Sequence, residues 1–221
     1  MSGLSTGARR QDAAYRQHWL DLQRRDAVPG ALTWVVLGDS AAVGLGAPSV
    51  EQSYVSVAAR LLHAGTGRPL RVVNLARSGV TAATVLADQV PQLHRWTEAD
   101  LVTCVVGGND VAWRRRFDLP GFAATVDAVA QRLPEGAVLG LVPTFGHWPF
   151  DGRVRVANEA IRAAAQRCGL RVADLASASG RTWPERVGLL SPDFFHPNAR
   201  GHARWAQAVS AAALHDVSGR P

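Results

Sequence analysis

The chain alternates short apolar runs with longer segments in which apolar residues recur at helical spacing. The runs at residues 32–37, 70–76, 101–106, 137–142 and 170–174 are largely continuous, as is typical of buried parallel strands. The spacing between and after them predicts helices at residues 53–65, 81–94, 119–133, 151–167 and 198–214, with Ser53 as an N-cap. A polar helix at residues 11–24 precedes the first strand.

Five strands separated by helices of this length predict one architecture. Such connections are right-handed crossovers between parallel strands, so the helices cover both faces of the sheet. We therefore predict an α/β fold, a three-layer α/β/α sandwich with a five-stranded parallel sheet. The chain has 221 residues, of which 47% are hydrophobic. This predicts a single domain over residues 1–221, with an N-terminal helical extension at about residues 1–28.

Arginine alone carries the positive charge. The sequence contains no lysine, so the 24 residues counted as lysine plus arginine are all arginines. The net charge is +6. A joint excess of Arg and Ala is typical of GC-rich coding, so the charge need not indicate a partner. Most arginines are interspersed with acidic residues, and only Arg114, Arg115 and Arg116 form a run of three. This pattern predicts solvated helix faces and no nucleic-acid partner.

The sequence gives no signal for export or membrane insertion. The N-terminal segment lacks the apolar stretch of a signal peptide, and no run reaches the roughly 20 apolar residues of a membrane span. Cys104 and Cys168 lack the spacing of a disulfide framework or a zinc site, so we expect reduced, buried thiols. We expect a cytoplasmic protein with no membrane span, and the sequence leaves the oligomeric state open.

Four polar clusters each follow an apolar run or lie near the C-terminus. They are Gly38-Asp39-Ser40, Arg77-Ser78-Gly79, Gly107-Gly108-Asn109-Asp110 and Asp193-Phe194-Phe195-His196. The carboxyl ends of parallel strands share one edge of a sheet, so clusters far apart in sequence can meet there. We therefore expect the chemistry of this chain at that edge.

Ser40, His196 and Asp193 have the chemistry of a nucleophile with its base. A serine hydroxyl needs a base to take its proton as it attacks, and imidazole titrates close to neutrality. A carboxylate on the other ring nitrogen fixes the tautomer, and Asp193 lies three residues before His196. The alternative for each cluster is structural. Gly-Asp-Ser is also a common helix-capping turn, and Asn198 after His196 is also a plausible cap for the last helix.

Acyl transfer also needs donors aimed at the oxygen that becomes negative. Asn109 offers a side-chain amide, and Gly107 and Gly108 before it allow a substrate to approach the backbone. Gly79 offers a main-chain N–H from the neighbouring strand end. Asn and Asp are also ordinary turn formers, so this cluster too has a purely structural interpretation.

The order of these four clusters resembles the SGNH hydrolases, also called the GDSL esterase and lipase family. The resemblance covers residues 38–198 and includes Gly44 in the first block, with Ala41 where the family name expects leucine. It implies a flavodoxin-like fold and a serine esterase that cleaves small carboxylic esters through an acyl-serine, without a metal or cofactor. It also implies the triad Ser40, Asp193 and His196, and an oxyanion hole formed by Ser40, Gly79 and Asn109.

Other functions and pocket residues stay open at this stage. Candidate pocket walls are aromatic, namely Trp113, Phe145, Trp148 and Trp183, with coverage of the core as the alternative role for them. A dinucleotide loop is disfavoured because Gly44-Leu45-Gly46 lacks the third glycine. The histidines outside the clusters lack metal-ligand spacing. The alternatives to an esterase are a ligand-binding domain on the same scaffold, an acyltransferase and a carbohydrate acetyl esterase.

Overall fold

The five predicted strands form one parallel sheet. The structure is a computed structural model, and it describes residues 5–26, 28–112, 117–145 and 150–214. The strands pair in the order β2-β1-β3-β4-β5, all in parallel; they are β1 (Leu32–Gly38), β2 (Leu70–Asn74), β3 (Leu101–Val105), β4 (Val138–Gly140) and β5 (Arg171–Ala173). The predicted α/β class and sheet are confirmed. β4 and β5 are shorter than expected. Beyond β4, the N–H and carbonyl oxygen of Val142 bond the side chain of Asn158 and no neighbouring strand.

The helices connect the strands and fill the space on both sides of the sheet. In the described ranges they are α1 (Thr6–Gln23), α2 (Ser40–Val43), α3 (Tyr54–Thr66), α4 (Ala82–Thr84), α5 (Gly108–Ala112), α6 (Leu119–Ala130), α7 (Phe150–Arg167), α8 (Leu175–Ala178), α9 (Trp183–Val187) and α10 (Ala199–Leu214). Two predicted caps are confirmed. Ser53 accepts from the N–H of Ser56 at the start of α3, and Asn198 accepts from the N–H of Arg200 and Gly201 at the start of α10. Among these helices, none has the length and apolarity to cross a membrane.

Alternate side chains of β1 enter two separate cores. Trp34 and Val36 pack with α1, α3 and α10, whereas Val35 and Leu37 pack with α6 and α7. This alternation follows from the period of two along a strand, and it produces the three predicted layers. Cys104 is buried in β3, where burial raises the pKa of its thiol to about 12, while Cys168 is only partly buried; both are free thiols. The expectation of a buried Cys168 was therefore only partly met.

The prediction of one regular helix over residues 81–94 is wrong in detail. The single α turn α4 continues as a π turn (Val85–Gln89) and then as a 3₁₀ segment (Val90–Arg95). Pro91 lacks an N–H, so it interrupts regular helical hydrogen bonding there. The wider π turn places Gln89 inward, where it is fully buried and bonds both the N–H and the carbonyl oxygen of Gly38. Such π turns are frequent at functional sites.

Candidate active site

Ser40 lies where β1 turns directly into α2. Ser40 is the first residue of that helix. The preceding Asp39 caps the helix, because its side chain accepts from the N–H of Ala41 at 3.1 Å. Gly44 ends the helix with φ of 112°, a conformation that glycine adopts without strain. The N–H of Ala41 donates to the Asp39 side chain and those of Ala42 and Val43 to the Asp39 carbonyl oxygen, so within α2 the N–H of Ser40 is the one placed to face an anion. Ser40 is itself buried.

His196 forms hydrogen bonds to both Ser40 and Asp193. Its Nε2 lies 2.8 Å from Oγ of Ser40, and its Nδ1 lies 2.6 Å from Oδ2 of Asp193. An ionised carboxylate only accepts hydrogen bonds, so Nδ1 carries the hydrogen and Nε2 presents its lone pair to the serine hydroxyl. The first and fourth clusters, 156 positions apart at these two residues, therefore meet as the sequence predicts.

A tight turn holds Asp193 in its ionised form. Oδ1 of Asp193 accepts from Oγ of Ser191 at 2.7 Å and from the N–H groups of Phe195 and His196, each at 2.9 Å. Partial burial opposes ionisation, but the hydrogen bonds from His196, Ser191 and the main chain outweigh it, so the pKa of Asp193 falls well below its usual range. Phe194 in this turn has a φ of 54°, the left-handed conformation that such a tight loop requires.

Side chains of the third cluster bond the main chain directly after the second cluster. Nδ2 of Asn109 donates to the carbonyl oxygen of Val80 at 2.8 Å, and Oδ2 of Asp110 accepts from the N–H of Ala82 at 3.0 Å. Val80 follows Gly79, which has a φ of 78° and lies in the turn after β2. The structure therefore places the Asn109 amide beside the segment that carries the Gly79 N–H.

The first and third clusters are also in contact. A Cβ atom added to Gly108 would lie 3.8 Å from Oδ2 of Asp39, so the two strand ends pack closely. Burial raises the pKa of Asp39 to about 6, and the nearby charge of Asp110 adds to this effect, while the hydrogen bond from Ala41 opposes it. All four predicted clusters thus converge at the carboxyl edge of the sheet.

A small cavity opens beside Ser40 and His196. Its volume is about 30 Å³, and its walls are mainly apolar, with contributions from Val105, Leu141, Val142, Pro143, Phe145, Phe195 and Trp205. The ring of Phe145 stacks on Phe195 with centroids 5.4 Å apart, and Phe195 contacts the edge of His196 with centroids 5.0 Å apart. Phe145 therefore lies where the sequence predicts a pocket wall.

The other aromatic pocket candidates have different outcomes. Trp183 begins α9 with an exposed side chain, and it is not among the residues that line the small cavity. Trp113 and Trp148 lie outside the described residues, as do Arg114 to Arg116. In the described ranges, no group of three or more His, Cys, Asp or Glu side chains has an arrangement that could hold a metal ion.

Sequence reasoning missed two supports of this site. Gln89 holds the end of β1 two residues before Ser40, but a glutamine within a helical pattern carries no signal that it points inward. Ser191 bonds Asp193, and the Ser-Pro-Asp sequence before His196 could have indicated a turn with a side-chain bond.

A family comparison agrees with this arrangement. The model of the GDSL-like Lipase/Acylhydrolase family matches residues 36–204, which is more than half of the chain. These boundaries enclose all four clusters and the sheet apart from the first four residues of β1, so the fold and the site together define the class. The chain belongs to the GDSL-like lipase/acylhydrolase family, also called the SGNH hydrolases.

Individual relatives share the architecture at low identity. A GDSL-like esterase of Mycobacterium tuberculosis is 26% identical over 211 residues, which cover 88% of this chain and 66% of that protein. An acetylxylan esterase from Geobacillus stearothermophilus is 21% identical with a TM-score of 0.66, covering 84% of this chain and 96% of that chain. A lipase/acylhydrolase from Enterococcus faecalis is 20% identical with a TM-score of 0.65, covering 86% and 96%. At these identities the two structures support the fold alone.

Proposed function

We propose that this chain is a serine esterase that hydrolyses small carboxylic esters through an acyl-serine intermediate. The observation that carries the proposal is the continuous hydrogen-bonded chain from Asp193 through His196 to Ser40. In this arrangement Oγ of Ser40 attacks the ester carbonyl carbon while its proton passes to Nε2 of His196. The ionised Asp193 stabilises the imidazolium that forms.

Nε2 of His196 accepts and returns a proton in each half of the reaction. When the bond from the carbonyl carbon to the alcohol oxygen breaks, the alcohol leaves with the proton from Nε2 of His196, and the acyl group remains on Ser40. A water molecule then attacks the acyl carbon and gives its proton to Nε2. The bond to Oγ breaks, Ser40 recovers a proton from His196, and the carboxylic acid leaves.

Three N–H donors are suited to the oxygen that becomes negative. They are the main-chain N–H groups of Ser40 and Gly79 and the side-chain amide of Asn109. An amide nitrogen carries two hydrogens, and Asn109 uses one of them for the carbonyl oxygen of Val80. That bond fixes the amide plane, so that the other hydrogen can serve the oxyanion without reorganisation.

The cavity beside Ser40 supports a preference for short acyl groups. A dry protein cavity of about 150 Å³ accepts benzene. The cavity here is about 30 Å³, so it suits a methyl or another group of few heavy atoms. The cytoplasmic location stays a prediction.

Turnover of p-nitrophenyl acetate by the wild type and by Ser40→Ala tests the reaction class. We expect the variant to lose turnover by about 10⁴-fold or more while its circular dichroism is unchanged. Ser56→Ala is a matched control, since Ser56 lies in α3 among hydrogen bonds that do not involve the site. Full turnover by Ser40→Ala would refute the proposal.

A series of p-nitrophenyl esters of increasing chain length tests the acyl preference. We expect kcat/KM to be highest for acetate and to fall for longer chains. Phe145→Ala removes a wall of the cavity and should move the optimum to longer chains, because the truncated side chain leaves additional volume. An unchanged chain-length profile in Phe145→Ala would show that this cavity does not hold the acyl group.

A further inference from the structure

The helix α1 lies outside the matched family region, yet its side chains bond two segments of the candidate active site. The family model begins at residue 36, whereas α1 spans Thr6–Gln23. We propose that α1 is a positioning element of this site, in which Asp12 holds the turn that carries Gly79 and Gln11 holds the loop behind His196. The proposal rests on the esterase function proposed above.

Asp12 bonds the residue directly before Gly79. Oγ of Ser78 donates to Oδ1 of Asp12 at 2.5 Å. Ser78 and Gly79 lie in a turn beyond the end of β2, where neither strand pairing nor helical bonding holds the main chain. The side-chain bond from α1 therefore restrains the direction in which the Gly79 N–H points.

Gln11 bonds the main chain of Gly46 and Ala47, in the loop that packs against His196. Its Nε2 donates to the carbonyl oxygen of Ala47 at 2.8 Å, and its Oε1 accepts from the N–H of Gly46 at 3.2 Å. Gly46 packs so tightly on the fourth cluster that an added Cβ would lie 2.3 Å from the carbonyl oxygen of Pro197 and 2.8 Å from Cβ of His196. A shift of this loop would therefore be transmitted to His196.

The same helix also borders a groove next to the base. This groove has a volume of about 470 Å³, with Ser5, Ala8 and Gln11 on one side and Ser191, Pro192 and Asp193 on the other. The first turns of α1 thus face the loop that carries Asp193 and His196 across this groove, in addition to the three bonds described above.

Four alanine variants on α1 separate positioning from general helix effects. Asp12→Ala removes the bond to Ser78, and Gln11→Ala removes the bonds to Ala47 and Gly46. Asp21→Ala and Gln17→Ala are matched controls, because these side chains bond each other on the exposed face of the same helix. We expect Asp12→Ala and Gln11→Ala each to lower kcat for p-nitrophenyl acetate by about tenfold or more with less than a twofold change in KM, since small misplacements of donors or base chiefly affect the transition state. We expect the controls to match the wild type.

A conservative variant of Asp12 and a double variant with Ser78 distinguish a positioning role from a general loss of stability. Asp12→Asn keeps an oxygen that accepts from Ser78, so it should retain most of the wild-type kcat. Ser78→Ala removes the same bond from its other end, so the double variant Asp12→Ala, Ser78→Ala should be no slower than the slower single variant. Thermal unfolding of each variant shows whether it is folded at the assay temperature.

The outcomes distinguish this inference from the proposed function. If the wild type does not hydrolyse the ester, the proposed function fails and this inference fails with it. If the wild type is active and Ser40→Ala is not, but Asp12→Ala and Gln11→Ala keep the wild-type kcat, only the inference is overturned. Independent, additive losses from Asp12→Ala and Ser78→Ala would overturn the part assigned to Asp12.

Discussion

A buried histidine outside the active site should contribute less to the stability of this protein in weak acid than at neutral pH. His202 is fully buried in α10 and connects three segments of the chain. Its Nδ1 accepts from the N–H of Tyr54 at 3.0 Å, so Nε2 carries the hydrogen that is donated to the carbonyl oxygen of Leu45, also at 3.0 Å. A second proton on Nδ1 would face the Tyr54 N–H and break this arrangement.

The expected magnitude follows from the pKa of His202 in the folded and unfolded states. Burial lowers the folded-state pKa from 6.5 to about 4, although the bond to Leu45 opposes this. Above about pH 7 the ring is neutral in both states, so His202 contributes no pH dependence there. As the pH falls below about 6.5 the unfolded chain takes up a proton that the folded chain excludes. The contribution of His202 to the free energy of unfolding should therefore drop by about 2.5 kcal/mol by about pH 4.5.

Urea unfolding of the wild type and His202→Gln at about pH 7.5 and about pH 4.5 isolates this effect. Asp39 has a raised pKa and therefore contributes in the opposite direction over the same pH range, but it is present in both proteins and cancels in the difference. We expect His202→Gln to be less stable by about 3 kcal/mol at neutral pH, because it disturbs two buried hydrogen bonds. The gap should nearly close at about pH 4.5. An equal gap at both pH values would refute the reasoning.

Three further substitutions test other parts of the account. Asn109→Ala should lower kcat by about 10² or more with little change in KM, and a loss confined to KM would contradict an oxyanion role. Asp193→Asn should lower kcat by about 10³ to 10⁴, because the amide favours the wrong tautomer of His196; wild-type turnover would show that the carboxylate is dispensable. Gln89→Leu should destabilise the fold by about 2 to 4 kcal/mol in urea unfolding, since Gly38 loses two buried bonds, and an unchanged stability would contradict that role.

Several features of the fold and the site were predictable because they follow from local rules. The strand positions follow from continuous apolar runs, and the parallel sheet follows from the helices between them. The site residues Ser40, Asn109 and His196 could be grouped from sequence because each follows a strand end or precedes a helix, and because strand ends share one edge of the sheet. The hydrogen bond between Ser40 and His196 is the geometric outcome of that topology.

The features that sequence reasoning missed depend on tertiary packing. Gln89 points inward only because the helix around it widens into a π turn, which the 3.6-residue period does not indicate. Asp12 and Gln11 lie on a polar helix whose pattern predicts a solvated surface, and their partners are main-chain and hydroxyl groups of loops that sequence alone cannot place beside them. Two walls of the cavity, Phe145 and Phe195, stack on each other, which is likewise a tertiary contact.

Covalent labelling of the nucleophile tests the central claim most directly. The account predicts that a fluorophosphonate probe labels Ser40 and no other serine when the modified protein is mapped by peptide mass spectrometry. It further predicts that His196→Ala loses rapid labelling, because Oγ of Ser40 then lacks its base. Ester turnover by a protein that remains unlabelled at Ser40, or that is labelled at another serine, would contradict the account.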